Sequence, residues 1–244
     1  AAPLLTGWAL VTLGPRVAFG ATAVALALSA LPLLKTPNVL VAADAPGALH
    51  AAWPGVLMLA ADGWTAAGYV FVWQIALFLS LGESFAAFGG AMALAAVAGA
   101  ITGLLLGRFI DAGHGRRAVW LAAGTMAAAL IFRATGYGHP AVAVVANAAG
   151  ALVNAFYTPT MMTAVYNQAQ ASPCTLRFHV ATEGGWDAGG AAGCLAAAGL
   201  LWAGAPLWAA ILLSLLGTTA AFALLRRYYG AQASGVAQAP TPVR

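Results

Sequence analysis

Charge is scarce in this sequence. Only 7% of its 244 residues are Asp, Glu, Lys or Arg, against about a quarter in an ordinary soluble domain. So few charges cannot cover the surface of a soluble fold of this length. Residues 84–107, 134–176 and 188–225, runs of 24, 43 and 38 residues, contain none of the four. A helix needs about 20 apolar residues to cross a bilayer, and each run meets that length. The apolar–polar alternation of a membrane β-barrel strand is missing, and the runs are rich in Ala and Leu, which favour helix. Disorder is excluded by a hydrophobic content of 62%. Cysteine is nearly absent: Cys174 and Cys194 have no metal-binding spacing and make no disulfide framework. No signal peptide or initiating Met is visible, and Ala1 falls inside an apolar segment, as expected where a longer chain has been cut. What remains is an all-α integral membrane protein whose first partner is the lipid bilayer.

Turn chemistry divides the chain. Ala1–Leu13 reads as the tail of one span, ended by Gly14-Pro15-Arg16. Complete spans are expected over Val17–Leu34, Ala51–Leu81, Phe85–Leu106, Ala118–Tyr137, Pro140–Gln170, Thr175–Ala203 and Leu207–Leu225. That makes about seven complete helices plus one partial. Residues 36–50 read as a connecting loop, Pro159 should kink its helix, and the Gly-, Ala-, Gln- and Pro-rich tail 229–244 should be disordered. The net charge of +4 is a topology signal, with no nucleic-acid partner implied. Alternating the sides puts Lys35, Arg108, Arg116, Arg117, Arg177, Arg226, Arg227 and Arg244 on one face. Only Arg16 and Arg133 fall on the other, so the first face is cytoplasmic and the C-terminus lies there.

A charge within a span costs a few kcal/mol and suggests function. Asp62 lies deep in its helix, with Gln74 further along, although Asp62-Gly63 also suits a helix start. His179, Glu183 and Asp187 are spaced by four and share one helical stripe. Gly185, Gly189 and Gly193 form a small-residue stripe on another face, suited to close packing in lipid. Two carboxylates one turn apart repel and hold a proton more readily, which suits proton coupling or a cationic substrate group. On Pro140–Gln170, Asn154 and Tyr157 can line a cavity, and Pro159 beside Tyr157 resembles a broken-helix binding feature.

The loop Gly107-Arg108-Phe109-Ile110-Asp111-Ala112-Gly113-His114-Gly115-Arg116-Arg117 is compact and charged. Gly107 ends a small-residue row, Ala95, Gly99, Gly103 and Gly107, that invites a close helix neighbour. Asp111 suits a helix N-terminus. Gly113 and Gly115 permit a reversal, and Arg116 and Arg117 suit an anionic leaflet. The segment resembles the cytoplasmic-loop signature of the major facilitator superfamily: Gly, three residues, Asp, a basic residue, then Gly and basic residues. Gly107, Asp111, Gly115, Arg116 and Arg117 match. Ala112 replaces the basic residue, and the Asp-to-Gly spacing is one longer. Pro3 and Gly7 in Ala2-Pro3-Leu4-Leu5-Thr6-Gly7 resemble the end of the family's Gly-Pro-x-x-Gly-Gly motif in its fifth helix.

The resemblance implies a bundle of the major facilitator type. Residues 1–35 would be the last one and a half helices of the N-terminal half, 36–50 the central cytoplasmic linker, and 51–228 the six-helix C-terminal half. The rest of the N-terminal half would then be a missing partner. It also implies secondary active transport of a small solute by alternating access in the inner membrane of a bacterium, with no cofactor and no resident metal. Asp62, Glu183 and Asp187 would face the central cavity, Glu183 or Asp187 would carry a coupling proton, and the Gly107–Arg117 loop would stabilise one state. Two other readings of the residues stay open. One is a membrane-embedded metalloenzyme using His179, Glu183 and Asp187; the other is a non-transporting membrane interaction protein.

Overall fold

The structure, a computed structural model, describes residues 2–37, 40–41, 44–110 and 115–237. All the regular structure among these residues is helical, with no strand. The order is α1 (Ala2–Thr12) and α2 (Pro15–Ser29), followed by a 3-10 turn at Leu31–Lys35; then α3 (Ala48–Ala66), a π-helical turn at Ala67–Val72 and α4 (Trp73–Ser80). Next come α5 (Phe85–Ile110), α6 (Gly115–Gly136), α7 (Pro140–Ala149) and α8 (Ala151–Ala171). The chain ends with α9 (Thr175–Trp202), α10 (Leu207–Leu212) and α11 (Ser214–Ala237).

Six helical stretches among the described residues are long and apolar enough to cross a membrane: Pro15–Lys35, Ala48–Ser80, Phe85–Leu104, Arg117–Gly136, Pro140–Ala171 and Leu207–Gln232. Helix α9, 28 residues long, has the length but not the hydropathy, because it carries Arg177, Glu183 and Asp187. Size is distributed as lipid solvation demands. The centre is lined by alanine (Ala52, Ala76, Ala122, Ala143, Ala146 and Ala164 are all fully buried), while Phe19, Leu104, Leu195 and Trp202 point outward. Lipid tails are as apolar as leucine, so large side chains gain little by turning inward and small ones let backbones approach.

The closest approach is between α3 and α9. A Cβ on Gly185 would lie 2.6 Å from the Val56 carbonyl, and one on Gly193 would lie 2.7 Å from the Ala67 methyl. At Gly189 it would overlap the Ala60 carbonyl, and on the facing helix Gly63 meets the Trp186 carbonyl in the same way. The expected glycine stripe of α9 is therefore a packing surface. The Ala95–Gly107 row behaves differently. Gly99 makes an ordinary contact with Ala151, at 3.5 Å, and Gly103 has nothing within 4 Å. Helix α5 makes its close approach instead at Gly89, where a Cβ would lie 2.8 Å from the Pro3 carbonyl of α1.

Turns fall where glycine was expected to place them. Gly14, Gly82 and Gly204 adopt φ of 82°, 67° and 84°, conformations that side chains with a Cβ rarely accept. One alternative closes and two expectations change. The helix carrying Asp62 begins at Ala48, so Asp62 is an interior residue and not a cap. The long helix at Pro140 is interrupted at Gly150, between α7 and α8, while Pro159 lies within the continuous α8. Helix α11 runs to Ala237, past the expected loss of structure at Tyr229. The tyrosines there are anchored: the Tyr229 hydroxyl donates to the Thr160 carbonyl at 3.0 Å. Residues 238–244 lie outside the described part, as do Asp111 and part of the 36–50 loop.

The α3–α9 contact makes a sharp prediction. Gly185→Leu should lower the melting temperature in detergent, since overpacking of this kind costs about 1–3 kcal/mol. Gly184→Leu, next to it but with nothing within 4 Å of its Cβ position, should leave the melting temperature within a degree or two of the wild type.

Candidate functional site

Two polar clusters lie side by side within the helices. The first surrounds a cavity of about 170 Å³ between α3, the π turn, α6, α8 and α9. Asp62 enters it from α3, about 21 Å along the helix from Ala48 at 1.5 Å per residue. Its carboxylate accepts a hydrogen bond from the Trp186 indole N–H at 3.0 Å. The glycines at the α3–α9 contact bring these two side chains together, because Gly63 lies against the backbone of Trp186 itself.

Across the cavity, α8 contributes Tyr157, Met161 and Met162. Tyr157 is 5% exposed. Its hydroxyl lies beside the Asp62 carboxylate and the Thr65 hydroxyl, short of the geometry of a full hydrogen bond among the described residues. Thr65, also lining the cavity, spends its hydroxyl proton on the Ala61 carbonyl at 3.0 Å. Its lone pairs stay available, as do those of Tyr157.

The second cluster is built around Arg133. Counting charges along the chain puts this residue at a loop end on the outer face; the structure buries it to 5% exposure in α6. Its guanidinium stacks 4.0 Å from the centre of the Tyr69 ring and 5.1 Å from that of Trp73. Nη1 donates to the Tyr69 carbonyl at 2.6 Å, within the π turn. Nε is buried without a hydrogen-bond partner among the described residues. None of the contacts that Arg133 makes among the described residues is with a carboxylate.

The surrounding groups are cross-linked. Tyr69 donates from its hydroxyl to the Gly150 carbonyl at 2.8 Å. The Trp73 indole donates to Asn147 Oδ1 at 2.9 Å, and the Asn147 amide donates to the Ala91 carbonyl at 3.2 Å. Gly150 has no room for a Cβ because Nη2 of Arg133 occupies that space. Glycine at this position lets the guanidinium reach the α7–α8 joint. Tyr69 belongs to both clusters, since its ring also lines the Asp62 cavity.

The other expected site residues are distributed more widely. Glu183 and Asp187 are exposed on the face of α9 turned away from α3, and they do not line the cavity. His179 is half-buried, with its ring 5.7 Å from that of Tyr166. No group of three or more His, Cys, Asp or Glu among the described residues is placed to hold a metal ion. Gln74 borders a separate apolar groove between α1, α4 and α5. Asn154 lies on α8, but its side chain is outside the described part.

In the signature loop, Gly107 ends its row near the end of α5, and Gly115, Arg116 and Arg117 open α6. The Arg116 side chain is outside the described part, and Arg117 is exposed. Sequence reasoning missed Arg133, Tyr69, Trp73 and Thr65. The available signal was Arg133 itself, an arginine within an otherwise apolar helix with aromatic residues elsewhere to receive it.

Arg133→Lys should lower stability by about 1–3 kcal/mol, the range for losing hydrogen bonds to a buried charged group. A lysine keeps the charge but has neither the flat stacking surface nor the fork. Thermal unfolding in detergent measures the loss, with the exposed Arg227→Lys expected to show none. Compared with protein-family models, with curated proteins and with solved structures, the chain matches none.

Proposed function

We propose that this protein is a secondary active transporter of a small solute that works by alternating access, with Asp62 as the titratable group of its pathway. The observation that carries the reading is a carboxylate facing a walled cavity inside helices that suit a bilayer. A charge in that position is expensive, and its usual use is on a substrate, ion or proton route. The cavity also lies where helices lose their regularity, at the π turn and near the Gly150 joint. Discontinuous helices of this kind recur at transporter binding sites.

The resemblance of Gly107, Asp111, Gly115, Arg116 and Arg117 to the signature loop of the major facilitator superfamily supports the same mechanism. The excess of basic residues on one set of loops favours the inner membrane of a bacterium, with the C-terminus cytoplasmic. Asp62 is favoured over Glu183 and Asp187 as the coupling group, because it lines the cavity and they do not.

The test is reconstitution of the full-length protein in liposomes containing a pH-sensitive dye. Sugars, amino acids, organic acids and organic amines are added outside in turn. At least one class should change the internal pH. Asp62→Asn should reduce that coupled signal at least tenfold while leaving the fold intact by circular dichroism. If no class moves protons, and none is taken up under an imposed gradient, the transport reading is wrong. If coupling is undiminished in Asp62→Asn, the assignment of the proton to Asp62 is wrong.

A further inference from the structure

We propose that the Asp62 cavity is a binding site for a small organic ammonium group, the protonated head of a primary amine. This rests on the transport reading for its physiological meaning and goes beyond it by naming the class of cargo.

The first argument is charge. Asp62 lines the cavity, and no Lys, Arg or His among the described residues does. Arg133 approaches Tyr69 but is not part of the wall. An anion entering would meet a carboxylate with no basic residue beside it, whereas a cation would neutralise that carboxylate.

The second argument is the count of acceptors. A primary ammonium carries three N–H donors and no acceptor. Three side chains of the wall offer acceptor oxygens for them. Asp62 keeps lone pairs beyond the one used by Trp186. The buried Tyr157 hydroxyl lies beside Asp62 and has no well-formed hydrogen bond among the described residues, so its lone pairs are free. Thr65 has donated its own proton to Ala61. A bound ammonium would donate to the lone pairs of the Tyr157 oxygen, while the Tyr157 O–H stays free to turn to the Asp62 carboxylate. Hard divalent cations take about six or more oxygens, which this wall does not offer.

The third argument is the rest of the wall. Tyr69, Tyr157 and Trp186 are wall residues, and aromatic rings attract ammonium ions within about 6 Å. Met126, Met161 and Met162 complete an apolar lining that suits a short alkyl stem, because thioethers adapt to irregular shapes. Size sets the limit. A cavity of about 170 Å³ holds roughly five waters at ~30 Å³ each, and lies below the ~300 Å³ at which drug-sized sites begin. It fits a head group of a few heavy atoms.

The test uses the purified full-length protein in detergent and titration calorimetry with propylammonium chloride. Control titrations use 1-propanol for shape without charge, sodium chloride for charge without a stem, and sodium propionate for the opposite charge. Saturable binding is expected for propylammonium alone. Asp62→Asn should abolish it. Tyr157→Phe removes a single oxygen and should weaken it about tenfold, the loss of one hydrogen bond to a charged group. If Asp62→Asn does not fold, the Tyr157→Phe variant carries the test. Equal binding of 1-propanol, saturable binding of sodium or propionate at the same strength, or unchanged affinity in both variants overturns the proposal. Binding of propylammonium without movement of any solute in the liposome experiment would refute transport and leave this site standing. Movement of other solutes without propylammonium binding would refute this site alone.

Discussion

The Asp62 cavity depends on how closely α3 and α9 approach. Gly55 and Gly63 on one helix, and Gly185, Gly189 and Gly193 on the other, remove the side chains that would hold the backbones apart. In lipid no hydrophobic force drives two apolar helices together, so short-range packing must supply the attraction, and only small residues permit it. The contact sets the geometry of the cavity. It places Trp186 beside Asp62 and holds that carboxylate in a fixed orientation, with one lone pair occupied. The Glu183 and Asp187 stripe is a by-product of the same phase: turning the glycines toward α3 turns the acidic face of α9 away from it.

A second constraint follows from the absence of water in a bilayer core: any break in a helix must find partners within the protein. Three breaks occur, at the π turn, at Gly150 and at Leu213, and they satisfy one another. The Gly68 N–H donates to the Ser214 hydroxyl at 2.7 Å, just past the Leu213 joint. The Trp64 indole donates to the Leu213 carbonyl at 3.2 Å. On the other side, Tyr69 reaches Gly150 while Arg133 reaches Tyr69. The π turn is thus tied to both other breaks, to Gly150 through the Tyr69 hydroxyl, and the buried cation braces Tyr69 from beside it.

Much of the helical framework was legible in the sequence, for physical reasons that can be named. Charge-free runs imply spans, and Gly14, Gly82 and Gly204 mark positions where the backbone turns left-handed. The four-residue spacing of Gly185, Gly189 and Gly193 implies a packing face, and the structure shows which helix lies on it. Asp62 was legible as an interior charge and Tyr157 as a candidate for a cavity wall. Arg133 was not, because assigning charges to sides by chain order assumes that every arginine seeks the membrane surface; this one finds a carbonyl and two rings inside. The π turn was not legible either, since Ala-Gly-Tyr-Val-Phe-Val holds only one glycine and no proline, and a lone glycine is tolerated inside a helix. The Ala95–Gly107 row misled because small residues permit close contact without requiring it: a neighbour must present its own small face, as Gly7 does for Gly89.

The π turn also acts on angular phase. A single wide turn inserts about one extra residue into the helix, and one residue corresponds to roughly 100° of rotation. In a regular α-helix that residue would turn α4 by about a quarter turn against α3. On α3, Ala52, Gly55, Leu59 and Gly63 look inward; past the turn the inward positions are Trp73, Ala76, Leu77 and Ser80. Removing one residue between Ala67 and Val72 would restore a straight ladder and leave Trp73 facing Asn147, because the wide turn absorbs the extra residue without carrying its rotation onward. The irregularity is thus a rotational buffer, which takes up one residue at a single level of the membrane and leaves the inward face of the rod unturned above and below it.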